Sequence, residues 1–527
     1  MKKLFRNLFI ISITFVVFIT TGCDDELTTN SYVKISDTDV LNSVPQLNKV
    51  LTSAYSELHF NAQYGTRVYA GLQGFQMYVD LGGADMLCHV NMGNEQQQAY
   101  QYINARTEAN GNSLYLWQWC YNVINHANII ITNIDAADGN ETDKKNIKGQ
   151  ALAMRAIQYF HLIQNFQQTY TIAKNKRGVI LRTSSNDDVH KGFATVEEVY
   201  TQIVKDLTDA KTLLANYKPT DLWFINSEIC SGILARVYLV MQNWDGAYSE
   251  AKTVYDNHST LMTREEYRSG FDKMISGGFP EVVWAMKHTF ENSAITQFNF
   301  WFNQDESYGE GAFDGPIYAF LNFFADSQFE ALFEPTEDRY QFWKRTKNVN
   351  DEYNTKWAFD KYKHYGADGG SEVGSATRPE VCLMRGSEML LIMAEAAAHK
   401  GGGEALTLLN RLQSARGVTN LTTATGNDLL EAIYVERRKE LICEGQSGFY
   451  DLVRLQKRLV RYGASANNPA GHYVWGIQYL NGYNASDAEP SAYLESNDYR
   501  FFCQIPQTEI TNNDAISEAD QNPFSGQ

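Results

Sequence analysis

Residues 427–458, NDLLEAIYVERRKELICEGQSGFYDLVRLQKR, decide the fold. Their apolar residues recur at helical spacing until Glu444-Gly445, so the stretch predicts two helices with a break at that point. Arg437 shares its helix face with Ile433 and Leu441, which places its guanidinium in the interior. Because an unpaired buried charge is very costly, Arg437 must have a buried acidic partner.

Three acidic residues of the same stretch, Glu436, Glu440 and Glu444, lie four positions apart. On a solvated helix face they would stack like charges, which is mildly unfavourable. Two interpretations remain, a structural network of ion pairs and a catalytic role for these acids. We predict the ion-pair network.

Helical periodicity extends well beyond this stretch. Residues about 112–258 and 386–461 predict helical hairpins, and Thr195 followed by Glu198 is a capping-box signature. The hairpins are similar to tetratricopeptide helix pairs, although no clean 34-residue period is visible. The chain is therefore predicted to be mostly α.

Two other regions, about 60–111 and 259–380, have no sustained helical period and are rich in Gly, Asn, Asp and aromatic residues. Short runs such as EVVWAM (281–286) and KWAFDKY (356–362) predict short strands between long loops. Loops of this length in a compact protein are usually functional or disordered, and the aromatic content argues against disorder.

Residues 1–22 are predicted to form a secretory signal. A basic start precedes the apolar stretch 8–19, and Thr20, Thr21 and Gly22 form a small-residue exit. The apolar stretch is shorter than the roughly 20 residues that span a bilayer. The mature chain is therefore predicted to have no spanning helix.

Cys23 directly follows this signal and resembles the lipid-acceptor cysteine of a bacterial lipobox. The alternative is an ordinary signal peptide with an incidental cysteine. Asp24, Asp25 and Glu26 are either the solvated start of a linker or an acidic signal for export to the outer face of the outer membrane. We predict a lipid-anchored protein, held on the membrane by its lipid alone.

The composition of the chain limits its possible binding partners. Loss of the three basic residues of the signal takes the formal net charge from −17 to about −20, which argues against nucleic acid. The six cysteines after Cys23 have no zinc spacing, and buried free thiols are favoured over disulfides. The chain has 31 Tyr, 28 Phe and 9 Trp, which fit either a sugar-binding surface or a large aromatic core.

Four strings in order resemble the SusD/RagB family of outer-membrane nutrient-binding lipoproteins. They are RAIQYFHLIQNF (155–166), RGSEMLLIMAEAAAHKGGGEALTLLNRLQSARG (385–417), ERRKELICEGQSGFYDLVR (436–454) and FFCQIPQTEITNNDAISEADQNP (501–523). The resemblance implies a single SusD-like domain over residues 23–527, with tetratricopeptide-like helix pairs and an irregular ligand-binding subdomain. It also implies a SusC-like, TonB-dependent transporter as partner, and an outer-membrane position facing the cell exterior.

By position, the resemblance places the ligand site in CHVNMGNEQQQAYQY (88–102) and FNFWFNQDESYGEGAF (298–313). Both segments combine aromatic rings with amides. Trp301, Tyr308 and Tyr100 are predicted stacking platforms. The predicted hydrogen-bonding residues are Asn91, Gln96 and Asn303, with His89 as a further candidate. For each residue the alternative is a core ring or a loop cap. By contrast, Trp343 and Trp357 are assigned to strands and core, and Trp117, Trp119, Trp244 and Trp475 to packing.

Enzyme signatures are absent from the sequence. It has no G-x-S-x-G, no H-E-x-x-H, no glycine-rich phosphate loop and no calcium-loop motif, so no catalytic residue, metal or cofactor is predicted. The predicted function is capture of an oligosaccharide and its delivery to the transporter. The alternatives are the same fold binding peptides, an extracytoplasmic glycosidase, and a pure scaffold.

Overall fold

The computed structural model describes residues 41–59, 71–88, 100–102, 107–109, 111–269, 271, 274–275, 277–287, 323–345, 357–359, 361, 380–468 and 471–523. The chain is mostly α, as predicted. The signal 1–22 and Cys23 lie outside the described residues.

Most of the long helices of the described residues lie in two stretches of the chain, 111–255 and 386–454. The helices are α1 (Val44–His59), α2 (Gly71–Leu81), α3 (Gly111–Asn133), α4 (Glu141–Phe166), α5 (Tyr170–Ala173), α6 (Val196–Leu213), α7 (Ser227–Val240), α8 (Trp244–Tyr255), α9 (Arg264–Ser269), α10 (Ser327–Glu330), α11 (Gly386–His399), α12 (Glu404–Ala415), α13 (Gly426–Leu441), α14 (Phe449–Arg454), α15 (Val474–Ile477) and α16 (Gln507–Asn512).

The strands are short and form three small antiparallel sheets. They are β1 (Met86–Cys88), β2 (Val282–Lys287), β3 (Phe323–Ala325), β4 (Trp343–Arg345), β5 (Trp357–Phe359), β6 (Glu380–Arg385), β7 (Leu459–Tyr462) and β8 (Ser491–Leu494). One sheet has the order β1-β3-β5-β4, and the pairs β2-β6 and β7-β8 form the other two. The strand positions predicted for Trp343 and Trp357 are confirmed.

The long helices pack on one another largely in chain order. Helix α3 packs on α4, α4 on α6, α6 on α7 and α7 on α8, and α8 then packs on α11, which also contacts α12 and α13. The core runs through these contacts, and Trp117 and Trp119 of α3 are buried there, as assigned. Helix α6 begins with the predicted capping box of Thr195 and Glu198.

The break predicted at Glu444-Gly445 is confirmed, because α13 ends at Leu441 and α14 begins at Phe449. Gly445 has φ +66°, and a Cβ built on it would lie 2.6 Å from the Cα of Gln76. Glycine is required there both by the left-handed backbone and by this close approach of α2.

The structure differs from the sequence prediction at α2, which lies inside a region expected to be loop-rich. Leu72, Phe75 and Val79 follow helical spacing and are buried. The pattern is short, only 11 residues, and it was hidden by the Gly-rich and Asn-rich sequence around it. Its burial against the rest of the chain stabilises a helix that local sequence marks weakly.

Candidate ligand-binding site

The two predicted ligand segments are attached to one end of the β1-β3 pair. In the antiparallel register Met86 faces Ala325 and Cys88 faces Phe323. Residues 89–99 follow Cys88, and residues 288–322 precede Phe323. In an antiparallel pair, the end of one strand lies beside the start of the other. The structure therefore brings together the attachment points of segments that are more than 200 residues apart in sequence.

Six of the predicted ligand residues lie outside the described residues. They are His89, Asn91, Gln96, Trp301, Asn303 and Tyr308. Their assignments stay predictions. Tyr100 is the one predicted ligand residue that the structure describes.

Tyr100 is buried, with 0% of its surface exposed. Its ring lies under the guanidinium of Arg461, 4.2 Å from the ring centroid, and packs edge-on against Trp475 at 5.5 Å. A Cβ on Gly476 would clash with the ring, at 2.3 Å. A ring enclosed in this way cannot serve as a stacking platform. The assignment of Tyr100 is therefore corrected to a core ring that fixes the end of segment 88–102.

The hydroxyl of Tyr100 is hydrogen-bonded to Nδ1 of His472. Nε2 of His472 lies 2.9 Å from the carbonyl oxygen of Ala84, so this nitrogen carries the proton and Nδ1 accepts from Tyr100. Burial, followed by the positive charge of Arg461, lowers the pKa of His472 well below its usual range. The imidazole is therefore neutral and acts as a fixed link between Tyr100 and the approach to β1.

Arg461 holds the same junction together through backbone carbonyls. Its Nη2 donates to the carbonyl oxygens of Leu81 at 2.8 Å and Gly83 at 2.9 Å, and its Nη1 donates to that of Tyr100. These bonds tie the C-terminal end of α2 and the end of segment 88–102 to β7. Charged donors to carbonyls form stronger bonds than neutral ones, which suits a buried side chain with 0% exposure.

Asp326 lies at the junction of β3 and α10. Its Oδ1 accepts from the backbone N–H of Gln328 at 2.7 Å, while its Oδ2 is buried and has no hydrogen-bond partner among the described residues. Nε2 of His472 is 3.9 Å from Oδ2, too far for a hydrogen bond. Burial raises the pKa of Asp326 to about 7, and the nearby Asp85 also raises it.

A buried ion network joins the loop-rich part of the chain to the helices. It consists of five acidic and five basic side chains: Glu281, Glu337, Glu436, Glu440 and Glu444 with Arg339, Lys361, Arg385, Arg416 and Lys439. Equal numbers of each sign give these ten side chains no net charge, which limits the cost of burying them. The predicted structural ion-pair network is confirmed.

Lys361 connects this network to the four-stranded sheet. It follows β5 by two residues, and its ammonium donates to the carbonyl oxygens of Glu440 and Ile442, each at 2.9 Å, and to the Glu444 carboxylate at 2.5 Å. The last carbonyls of a helix attract cations. The end of α13 is thereby joined to the sheet that carries the attachment points of both ligand segments.

Arg437 is buried and has the acidic partner that the sequence requires. Its Nε donates to Asp451 Oδ2 at 2.9 Å, and Asp451 also pairs with Arg454. Burial alone would raise the pKa of Asp451, but the guanidinium groups of Arg437 and Arg454 outweigh it and hold that pKa below its usual value. This second ionic cluster joins α13 to α14.

The five described cysteine side chains are Cys120, Cys230, Cys382, Cys443 and Cys503, and all are free and buried. The preference for free thiols over disulfides is confirmed for these residues. Within the described residues, no group of three or more His, Cys, Asp or Glu side chains could hold a metal ion.

Sequence reasoning missed His472, Arg461 and Asp326. Arg461 lies at the end of the second predicted helical run and His472 lies after it, both outside the regions expected to carry ligand segments. One available signal was Arg461 at an inward position of the alternating strand LVRY, since a charge at such a position requires many partners. The contact between Tyr100 and His472 joins residues 372 positions apart, and no local pattern predicts it.

Two family models match most of the chain. Residues 27–239 match a model described as "Starch-binding associating with outer membrane", and residues 280–524 match the SusD family model. The chain belongs to the SusD/RagB family. The family resemblance read from the four sequence strings is therefore confirmed.

Known SusD-like proteins are similar to this chain over nearly its full length. SusD-like protein P2 of Formosa agariphila is 23% identical over 510 residues, covering 89% of this chain and 95% of the relative. The crystal structure of a SusD-like carbohydrate-binding protein from Bacteroides vulgatus superposes with a TM-score of 0.76 at 25% identity, covering 92% of this chain and 99% of that one.

A laminarin-binding SusD-like protein has the same fold at 18% identity, with a TM-score of 0.63 and coverage of 92% of this chain and 99% of that protein. At this identity the likeness concerns the fold alone. Among the helices that the structure describes, none is both long and apolar enough to cross a bilayer.

Proposed function

We propose that this SusD-like protein captures oligosaccharide at the outer membrane, does not cleave it, and delivers it to a SusC-like TonB-dependent transporter. The observation that carries the proposal is the shared attachment of segments 88–102 and 298–313 at one end of the β1-β3 pair. In a family whose matching model is described as starch-binding, the shared attachment supports the proposal that these two segments, both rich in rings and amides, contribute to one site.

The proposed ligand contacts follow from side-chain chemistry. Trp301 and Tyr308 stack on the apolar faces of sugar rings, and Asn91, Gln96 and Asn303 bond to sugar hydroxyls, with His89 as an additional donor or acceptor. Tyr100 is left out because it is buried. An open site of this kind orders little ligand surface, so modest affinity suits a protein that passes its ligand on.

The proposed anchoring depends on the N-terminus. Residues 1–22 are removed as a signal, lipid is attached to Cys23, and residues 23–527 form one domain at the exterior face of the outer membrane. The helices dock the transporter, and the lipid is the only attachment to the membrane. The mature charge of about −20 fits this arrangement, because a strongly acidic surface is not attracted to anionic lipid headgroups.

The ligand class is tested by screening the purified mature chain in parallel on a glycan array and on a peptide library. We expect binding to neutral glycans and none to peptides. Preference for peptides would replace the glycan assignment while keeping the fold. Binding to neither would favour a scaffold.

Incubation with starch, laminarin, xylan and inulin, followed by chromatography, tests for catalysis. We expect no release of shorter products over hours at micromolar protein. Product formation that scales with protein concentration would identify a glycosidase and overturn the proposal of binding without cleavage. Binding on the glycan array, together with no release of shorter products, supports capture of an oligosaccharide without cleavage.

A further inference from the structure

A small cavity lies inside the helical body, among residues of α2, α4, α7, α11, α13 and α14. Its volume is about 40 Å³, which is room for a few water-sized groups. The rings of Phe75 and Phe160 form part of its wall, while Gln164, Gln446 and Tyr450 are partly exposed and mark its opening. The cavity is therefore accessible to small solutes.

Arg437 lines this cavity and has one guanidinium nitrogen without a protein partner. The residue is 2% exposed, its Nε donates to Asp451 Oδ2 at 2.9 Å, and its Nη2 donates to the carbonyl oxygen of Gln446 at 3.3 Å. Its Nη1 is buried and has no hydrogen-bond partner in the described part of the chain. Because a buried cationic N–H group is costly to leave without an acceptor, Nη1 indicates a bound molecule in the cavity.

Arg236 contributes a second guanidinium to the wall. Its Nε and Nη2 donate to the two carboxylate oxygens of Glu388, each at 2.7 Å, and Nη2 also donates to the carbonyl oxygen of Leu383 at 2.6 Å. This pairing occupies one edge of the planar group and leaves Nη1 on the other edge, without a partner among the described residues. Two arginines of one wall therefore each retain N–H groups that lack an acceptor.

His161 lies in the same wall and is sensitive to the charge around it. Burial, followed by the positive charge of Arg236, lowers the pKa of His161 to about 3, so the ring is neutral near pH 7. A neutral imidazole carries a single N–H. The Nδ1 atom is buried and has no hydrogen-bond partner within the described residues. With its proton on Nδ1, the ring adds a third donor to the cavity.

The carboxylates of the wall are already occupied. The charged residues of the wall are three arginines and two acids: Arg236, Arg437, Arg454, Glu388 and Asp451. Each carboxylate oxygen of Glu388 and Asp451 accepts from an arginine, and Glu395 pairs with Arg454 from outside the wall. The charged atoms that still need a partner are therefore donors.

We propose that this cavity is a binding site for a small monovalent anion such as chloride, which accepts from Nη1 of Arg437, Nη1 of Arg236 and Nδ1 of His161. An anion satisfies these donors directly, whereas a water molecule must also find acceptors for its own hydrogens. The volume suits a halide ion with accompanying water. The site goes beyond the proposed function and does not depend on it.

Bromide is the probe, because it replaces chloride and is located in crystals by anomalous scattering. We expect an anomalous peak in the cavity beside Nη1 of Arg437. In solution, thermal unfolding is followed while sodium chloride or bromide replaces sodium gluconate at constant ionic strength, since gluconate is too large for the cavity. Each halide should raise the unfolding midpoint, and the rise should saturate with halide concentration.

Gln164→Glu tests the site without touching the ion pairs, because it adds a negative charge at the opening of the cavity. We expect halide binding to weaken about tenfold, since a like charge a few Å away disfavours an anion. Gln164→Leu adds no charge and should bind halide like wild type. The matched control is Gln168→Glu, which adds the same charge at a partly exposed residue outside the wall and should leave halide binding unchanged.

Three outcomes overturn the anion site. The first is a cavity that holds only water at saturating bromide. The second is a bromide peak in crystals without a halide-specific rise of the unfolding midpoint, which would mean binding at crystal concentration only. The third is an equal effect of Gln164→Glu and Gln168→Glu, which would reflect the net charge of the chain. Glycan binding by Gln164→Glu, measured by calorimetry, should equal that of wild type, so the two proposals fail separately.

Discussion

Glu440 is the residue on which the buried ion network converges. Its carboxylate lies 2.8 Å from Arg385 Nη1, 2.9 Å from Arg416 Nη2 and 3.2 Å from Arg339 Nη1. Burial alone would raise the pKa of Glu440, but these three guanidinium groups hold it well below its usual range. Each charge depends on the others, because removal of one partner leaves the rest uncompensated in the interior.

Glu440→Gln removes that charge while keeping the shape of the side chain. We expect a loss of about 3–5 kcal/mol in the free energy of unfolding, measured by urea denaturation, or a sharp drop in soluble yield. Glu431→Gln on the same helix is the matched control. The Glu431 side chain is 54% exposed and pairs with Lys457, so it should cost less than about 1 kcal/mol. Equal effects of the two variants would contradict a structural role for the network.

Asp326 supplies a prediction about pH. Its pKa of about 7 exceeds the ordinary value of 3.8, so the folded chain keeps a proton that the unfolded chain loses. Stability contributed by this group is therefore present at low pH and falls as pH rises from about 4 to about 7. The groups facing the carboxyl, neutral His472 and acidic Asp85, offer no compensating positive charge.

Asp326→Asn keeps an acceptor for the N–H of Gln328 and cannot ionise. Relative to wild type, we expect it to gain about 1–3 kcal/mol more stability near pH 8 than near pH 5, measured by chemical denaturation at both values. Asp256→Asn, at a side chain with 58% exposure, is the control and should show no such pH dependence. A pH-independent effect of Asp326→Asn would refute the assigned ionisation.

At the level of elements, the start of α6 tests how far local sequence controls helix ends. The Thr195 hydroxyl accepts from the N–H of Glu198, whose carboxylate accepts from the N–H of Thr195. Thr195→Ala should cost about 1 kcal/mol in unfolding free energy. Thr208→Ala, an exposed threonine in the interior of α6, should be neutral or slightly stabilising, because Ala has the higher helix propensity. If the two variants cost the same, the cap is not stabilising the helix.

Helices and strands were predictable where one physical rule dominated. The helical periods of α3, α4 and α13, the cap at Thr195 and the burial of Arg437 all follow from local spacing or from the cost of an unpaired charge. Helix α2 was not predicted, because tertiary burial rather than local propensity stabilises its short apolar pattern.

The site was predictable only in part. Sequence identified two segments rich in rings and amides, and the β1-β3 register shows that they share an attachment point. It could not separate an interior ring from an exposed one, so Tyr100 was assigned wrongly. The enclosure of Tyr100 by Arg461, His472 and Gly476 comes from residues more than 350 positions away, and contacts of that range leave no local signature.

At the level of the whole molecule, the proposed lipid attachment at Cys23 determines where the protein acts. Cys23→Ser should release the chain from the membrane fraction, because acyl chains contribute about 0.8 kcal/mol per buried CH₂ and the described residues have no membrane-spanning helix. Cell fractionation, with mass spectrometry of the mature N-terminal peptide, measures this. A serine variant that stays in the membrane fraction, or an unmodified wild-type cysteine, would contradict lipid anchoring.

The proposed function requires that an anchored helical body binds carbohydrate at exposed rings without altering it. The decisive measurement is calorimetry with a neutral oligosaccharide, on the purified mature chain and on the double variant Trp301→Ala with Tyr308→Ala. Trp244→Ala serves as the control for loss of a packing tryptophan. We expect the double variant to bind at least about tenfold more weakly with unchanged thermal stability, while the control binds normally. Unchanged affinity of the double variant would contradict it.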